Sequence, residues 1–336
     1  MRKFIALWLA LCIGASALTG CGKASAGAAE ADARQDALED TQSGGNKASS
    51  GLDKLALTYV TSPLNVPTII ERDQNIFADA FRDMGISLEY AEINSGADQT
   101  QALASGDVQI LYGVGATSVI LSAANGADIK VLNMYSRSPK AFCMYSADDS
   151  LTTPESLKGK TIGGPAGTNL HELLVSYLAA GGLTMDDVNY VNMSIADAKA
   201  ALDGGSVDIA LIAGAAAYQA KEQGYHMVAD GEGLMKAMIA VAVRDDFYNE
   251  NQDVIDRFME AQNRAAAFMK DNQEQALQIA ARALDLDEEA VKEMYAFYDF
   301  SMDVTDEDKE GFQKTADFML ESGMIEEELD VDGLFL

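Results

Sequence analysis

SGADQTQALASGDVQILYGVGA, residues 95–116, returns 99 residues later as SIADAKAALDGGSVDIALIAGA, residues 194–215, with 10 identities in 22 positions. Alanine-rich composition explains some of these, but not the pairs Asp98/Asp197, Gly106/Gly205 and Gly115/Gly214. In each copy a helical run (97–104, 196–203) hands over to a short apolar run (108–112, 208–212). The same alternation continues on both sides. LALTYV (55–60), a helix over 67–84, SLEYAEI (87–93) and a helix over 116–125 frame the first copy. TIGG (161–164), a helix over 168–180, NYVNM (189–193) and a helix over 215–223 frame the second. Strand and helix in alternation predict an α/β fold with mainly parallel sheets and flanking helices. The repeat predicts two similarly built lobes.

In such sheets a ligand lies beyond the carboxyl ends of the strands, where helix N-termini point. The loops expected there read VTSPLN (60–65), INSG (93–96), GVGATS (113–118) and GPAGTN (164–169), all neutral, small and rich in hydroxyl or amide groups. Ser62, Asn65, Asn94, Ser95, Gly115, Thr117, Gly167, Thr168, Asn169, His171 and Gly214 are therefore the candidate ligand-binding residues. Backbone N–H groups at several helix starts suit a small polar or anionic solute held without a formal counter-charge. The Thr, Ser and Asn residues serve equally well as N-caps, and one residue can do both. Nucleotide phosphate is excluded by the letters. Gly159-Lys160-Thr161 ends like a P-loop, but Pro154 stands where the pattern needs glycine, and residues 163–167 do not form a G-x-G-x-x-G turn.

Met1-Arg2-Lys3, an apolar run over 4–17 and Leu18-Thr19-Gly20-Cys21 form a secretory signal over 1–20 that resembles a lipoprotein signal, which implies lipidation of Cys21. The apolar run falls short of the roughly 20 residues a membrane-crossing helix needs. Residues 21–51, rich in Ala, Gly and Ser, read as a flexible linker. A formal net charge of −29 argues against nucleic acid and anionic membrane surfaces as partners. With Cys12 in the signal and Cys21 lipidated, Cys143 stands alone and no disulfide is expected. Two isolated histidines, His171 and His226, make a poor metal site, and no cofactor motif appears.

The lipobox, INSGADQTQALASGDVQI, LKGKTIGGPAGTNLHELL, VDIALIAG and VAVRDDFYNENQDVIDRFMEA together resemble the solute-binding proteins of ABC importers for sulfonate, nitrate, taurine and thiamine precursors. The resemblance runs from about Leu55 to about Lys270. It implies a type II periplasmic-binding fold with two crossing strands as hinge, near 140–146 and 238–244. Lobe 1 is then 52–142 with 243–336, and lobe 2 is 143–242. It also implies a monomer at the extracytoplasmic face, anchored through Cys21, that passes a small-molecule solute to an ABC permease with a cytoplasmic ATPase. Cys143 falls on the first crossing as a buried, inert thiol. Arg137 and Lys140 precede it, and favour an anion if they turn into the cleft. Where relatives place bulkier or acidic residues, Ala213-Gly214-Ala215 leaves a wall of methyl and backbone. The rival readings are an enzyme on the same fold, of the pyrimidine-precursor or menaquinone-pathway type, and a surface interaction lipoprotein. The first implies a cysteine cluster or a catalytic triad that the chain lacks.

Overall fold

The computed structural model describes residues 51–336. The expected signal, the expected lipidation site Cys21 and the expected linker up to residue 50 lie outside the described residues. In chain order the strands are β1 (Lys54–Thr58), β2 (Ser87–Ala91), β3 (Ile110–Gly115), β4 (Lys130–Arg137), β5 (Phe142–Ser146), β6 (Thr161–Gly164), β7 (Asn189–Asn192), β8 (Ile209–Ala213), β9 (His226–Asp230) and β10 (Met238–Val243). They form two five-stranded sheets, ordered β2-β1-β3-β10-β4 and β7-β6-β8-β5-β9. Both follow one plan. Three parallel strands come first, and an antiparallel strand is inserted before the last: in the first sheet β10, which returns from beyond the second sheet, and in the second sheet β5, which opens the run 142–230. Two α/β lobes with mainly parallel sheets are thus present as expected.

The helices are α1 (Val66–Asp73), α2 (Ile76–Phe81), α3 (Gly96–Ser105), α4 (Ala116–Ala124), α5 (Asn169–Ala180), α6 (Ile195–Asp203), α7 (Ala215–Glu222), α8 (Asp245–Glu250), α9 (Gln252–Asp271), α10 (Gln273–Leu284), α11 (Glu288–Tyr295) and α12 (Asp306–Glu321). The internal repeat is α3-β3 over α6-β8. Even its caps correspond, since the Ser95 hydroxyl accepts from the Asp98 N–H at 3.4 Å and the Ser194 hydroxyl from the Asp197 N–H at 3.1 Å. The single helix expected over 67–84 is instead broken into α1, α2 and a 3-10 turn at Arg82–Met84. Asn75 causes the break by taking a left-handed conformation, φ +52°, which asparagine tolerates better than most residues.

Central strands carry the core. β8 and β10, flanked on both sides and covered on both faces, are buried at every position and so read as unbroken apolar runs. On one face of the first sheet Phe77, Tyr112, Tyr135 and Phe258 form an aromatic cluster beneath α1, α2 and α9. Glu71 of α1 is drawn into this layer. Its Oε2 accepts from the Tyr90 hydroxyl at 3.0 Å, Oε1 has no partner, and burial pushes its carboxyl up to about 8.

The chain passes from the first sheet to the second at 138–141 and returns at 231–237. These passages precede the strands that the resemblance nominates as the hinge. β5 and β10 each hydrogen-bond neighbours on both sides, which holds them inside their sheets, so flexing falls to the connecting segments. The paired strand 238–242 therefore sits with the first sheet rather than with residues 143–230.

Candidate functional site

Two strand-to-helix turns meet between the lobes. β3 runs directly into α4 at Gly115-Ala116, and β6 reaches α5 through the turn 165–168. The Ser118 hydroxyl of α4 donates to the Gly167 carbonyl at 2.9 Å. Thr117 Oγ1 lies 3.1 Å from Asn169 Oδ1 and 2.7 Å from Glu172 Oε2, and the Thr315 hydroxyl of α12 donates to Glu172 Oε1 at 3.0 Å. Glu172 is 5% exposed, and its partners are neutral hydroxyls, so burial pushes its carboxyl up. A Cβ at Gly115 would lie 3.1 Å from Asn169 Oδ1, so the amide would have to give by a few tenths of an ångström to admit a larger residue.

Thr168 holds the N-cap position of α5, yet its hydroxyl donates to the Pro165 carbonyl at 2.9 Å and makes no capping bond. It locks the turn that Gly167 opens with φ +67°. His171 faces its own lobe. Its Nδ1 accepts from the Gly167 N–H at 3.3 Å and its ring stacks on Tyr190 at 5.0 Å between centroids, while burial lowers its pKa. The ring is thereby a neutral brace for the turn.

A second meeting point joins the loop 60–65 to the end of β8. Asn65 Nδ2 donates to the Val60 carbonyl at 2.8 Å and the Ser62 carbonyl at 3.2 Å, which folds that loop tightly. Gly214, φ +58°, packs against the Pro63 backbone so closely that a Cβ would collide with the carbonyl oxygen. Ser62 and Asn94 are exposed, and Ser95 is spent as a cap. The structure thus brings Gly115, Thr117, Gly167 and Asn169 to one seam and Ser62, Asn65 and Gly214 to another. Gly214→Ala is expected to hold the two lobes apart at this seam, because its Cβ would collide with the Pro63 carbonyl oxygen, and to cost about 1–3 kcal/mol of stability in either arrangement from the positive φ. Small-angle scattering should give a larger radius of gyration for the variant, and an unchanged radius would show that the Pro63 contact does not govern closure.

Beside Gly214 opens a cavity of about 320 Å3, walled by Cys143, Tyr145 and Tyr218 from the second lobe and by Phe297 and Tyr298 from the C-terminal segment. These aromatic residues are absent from the sequence-derived list. Tyr218 was within reach, one turn into the helix that Gly214 starts. Phe297 and Tyr298 carry no local signal and arrive only through the tertiary fold. Burial pushes the Cys143 thiol up to about 12, which makes it the inert thiol expected.

Arg137 and Lys140 do not offer free charge to an anion. Arg137 binds both oxygens of Asp308 at 2.6 and 2.5 Å, and Lys140 pairs with Glu232 at 3.0 Å. Among the described residues no cluster of three or more His, Cys, Asp or Glu stands ready for a metal ion. No helix among them is long and apolar enough to cross a membrane.

The model of the NMT1/THI5-like family matches residues 79–276. A putative aliphatic sulfonates-binding protein of Bacillus subtilis (strain 168) is 25% identical over 269 residues, covering 79% of this chain and 81% of its own length. The taurine-binding periplasmic protein of Escherichia coli (strain K12) is 27% identical over 208 residues, 61% of this chain and 62% of its own. Among solved structures, the alkanesulfonate-binding protein SsuA from Xanthomonas axonopodis pv. citri, bound to MOPS, superposes with a TM-score of 0.76 at 21% identity, covering 84% of this chain and 98% of that one.

Proposed function

Because the chain belongs to the NMT1/THI5-like family, we propose that it is the solute-binding component of an ABC importer, specific for a small organic sulfonate. One observation carries this reading. Two lobes of one plan, joined by two short passages, turn the strand-to-helix turns of α4 and α5 toward each other, with Ser118 bonded to Gly167 and Thr117 to Asn169 across one seam that both helix N-termini border. The sulfonate head is held where α4 and α5 begin, around Gly115, Gly167 and Thr168, while Thr117 and Asn169 brace the two helix starts through each other and Glu172. The cavity beside Gly214 takes the organic part. Contacts that span the seam only in the closed arrangement let the solute shift the lobes toward closure. The protein works at the extracytoplasmic face of the membrane as a monomer, lipid-anchored at Cys21 on the tether 21–51, and delivers its solute unchanged to a permease driven by a cytoplasmic ATPase.

Calorimetry with taurine and 1-pentanesulfonate on the wild type and on Thr168→Asp tests this. Aspartate cannot donate to the Pro165 carbonyl as Thr168 does but can accept at the N-cap, so thermal stability should change by no more than about 1 kcal/mol. It also sets a negative charge where the sulfonate would lie, so affinity should fall about tenfold or more, roughly 1.4 kcal/mol. Equal affinity in the variant would remove the α5 turn from the site. Recovery of a chemically altered ligand would replace the receptor reading with an enzyme.

A further inference from the structure

A second cavity of about 320 Å3 lies wholly within the first lobe, between one face of its sheet and the C-terminal helices. Pro67, Tyr112, Tyr135, Met269, Lys270 and Phe300 line it, and none of them belongs to the interlobe seam. Most polar groups at its walls are already engaged. The Tyr135 hydroxyl sits 2.8 Å from Thr68 Oγ1, and the Gln262 amide exchanges hydrogen bonds with Asn133 at 2.7 and 3.3 Å. Two groups are not. The Tyr112 side chain is 0% exposed and its hydroxyl has no hydrogen-bond partner. A buried polar group left unmet is costly, and native proteins leave few of them. Lys270, at the rim, pairs with no carboxylate, in a chain that carries 53 acidic side chains against 24 basic ones.

The walls are set in place. Tyr112 and Tyr135 meet edge to face at 5.0 Å, and Tyr135 meets Phe300 in the same manner at 6.4 Å, so the rings hold one another in position. Burial pushes the Tyr112 phenol well above its ordinary value, which keeps its hydroxyl protonated and able to donate. The volume matches the lower end of small-molecule sites.

We propose that this cavity is a second binding site, for a small aromatic monoanion whose ring lies against Tyr135, Phe300 and Met269, whose anionic group meets Lys270, and whose polar far end accepts from the Tyr112 hydroxyl. The ligand is distinct from the transported solute, and its site is complete within one lobe.

The test uses 4-hydroxybenzoate as probe, followed by calorimetry on the full folded chain. Wild-type protein should bind it with measurable heat. Lys270→Gln, an exposed substitution that leaves the core untouched, should weaken binding about tenfold, and Tyr112→Phe should weaken it by roughly five- to tenfold. Ala266→Phe, which places a ring inside the cavity, should abolish binding. No heat with the wild type at millimolar probe would overturn the proposal. So would wild-type affinity in both Lys270→Gln and Tyr112→Phe, which would place the probe elsewhere or leave a water as the partner of the hydroxyl.

Discussion

Arg137→Ala will cost about 3–5 kcal/mol of folding stability, the range for breaking a buried ion pair from one side. The guanidinium is 18% exposed and ends β4 by gathering the C-terminal segment. Nε and Nη2 donate to the two Asp308 oxygens at 2.6 and 2.5 Å, Nη1 to the Ser301 carbonyl and hydroxyl at 2.8 and 3.0 Å, and Nη2 to the Asp303 carbonyl at 2.9 Å. Burial acts to raise the Asp308 carboxyl, and the bonds from Arg137 and Thr305 together outweigh it and hold the group below the usual range. Alanine removes Arg137's share of that counterweight while the carboxylate, 5% exposed, stays in place. Arg137→Lys should recover only part of the loss, since an ammonium cannot engage both oxygens and two further carbonyls in one plane. Adding Asp308→Asn to the alanine variant should restore some stability, because the uncompensated charge is then gone. Urea unfolding of the four proteins measures each step, and a loss under about 1 kcal/mol in Arg137→Ala would place the pair among screened surface bridges.

Glu71 should make the protein less stable as pH rises. Its folded pKa of about 8 stands above the ordinary value of 4.5, so the native state keeps a proton that the unfolded chain releases. Stability from this group is complete below the unfolded value and is lost progressively as pH climbs from 4.5 to about 8. A shift of this size corresponds to about 5 kcal/mol across the window. Glu71→Gln keeps an acceptor for the Tyr90 hydroxyl and cannot ionise. The variant should match the wild type near pH 4.5 and exceed it by about 4–5 kcal/mol near pH 8, with the difference between the two curves isolating Glu71 from every other titrating group. Parallel stability curves would show that the carboxyl ionises without penalty and that water reaches it.

Local pattern made the architecture readable. The repeat between residues 95–116 and 194–215 matches two helix-strand units at equivalent places in the two sheets, with serine caps in the same register, because periodicity and capping are short-range properties. The strand-to-helix turns at Gly115 and Gly167 were legible for the same reason. The partners these turns find were not. Thr117 and Asn169 read as groups facing a solute, yet they bond each other and Glu172, which reads as an ordinary first-turn acid. Thr315, which completes that cluster, lies 143 positions from Glu172. Arg137 read as a free cation for the same reason, since Asp308 is 171 positions away. The break at Asn75 escaped because 67–84 keeps a helical apolar pattern through it, and one left-handed residue leaves little trace in periodicity.

The location of β10 also fixes an order of assembly. The second sheet draws all five strands from 142–230, so a nascent chain can complete it without any later residue. The first sheet cannot close when its own first four strands emerge, because β10 must enter between β3 and β4. Until residue 243 has been synthesised, β3 and β4 each present an unpaired edge, the condition that invites association between chains. The half made first is therefore finished last, and a chain stopped short of Met238 would hold one finished sheet beside one left open at its centre.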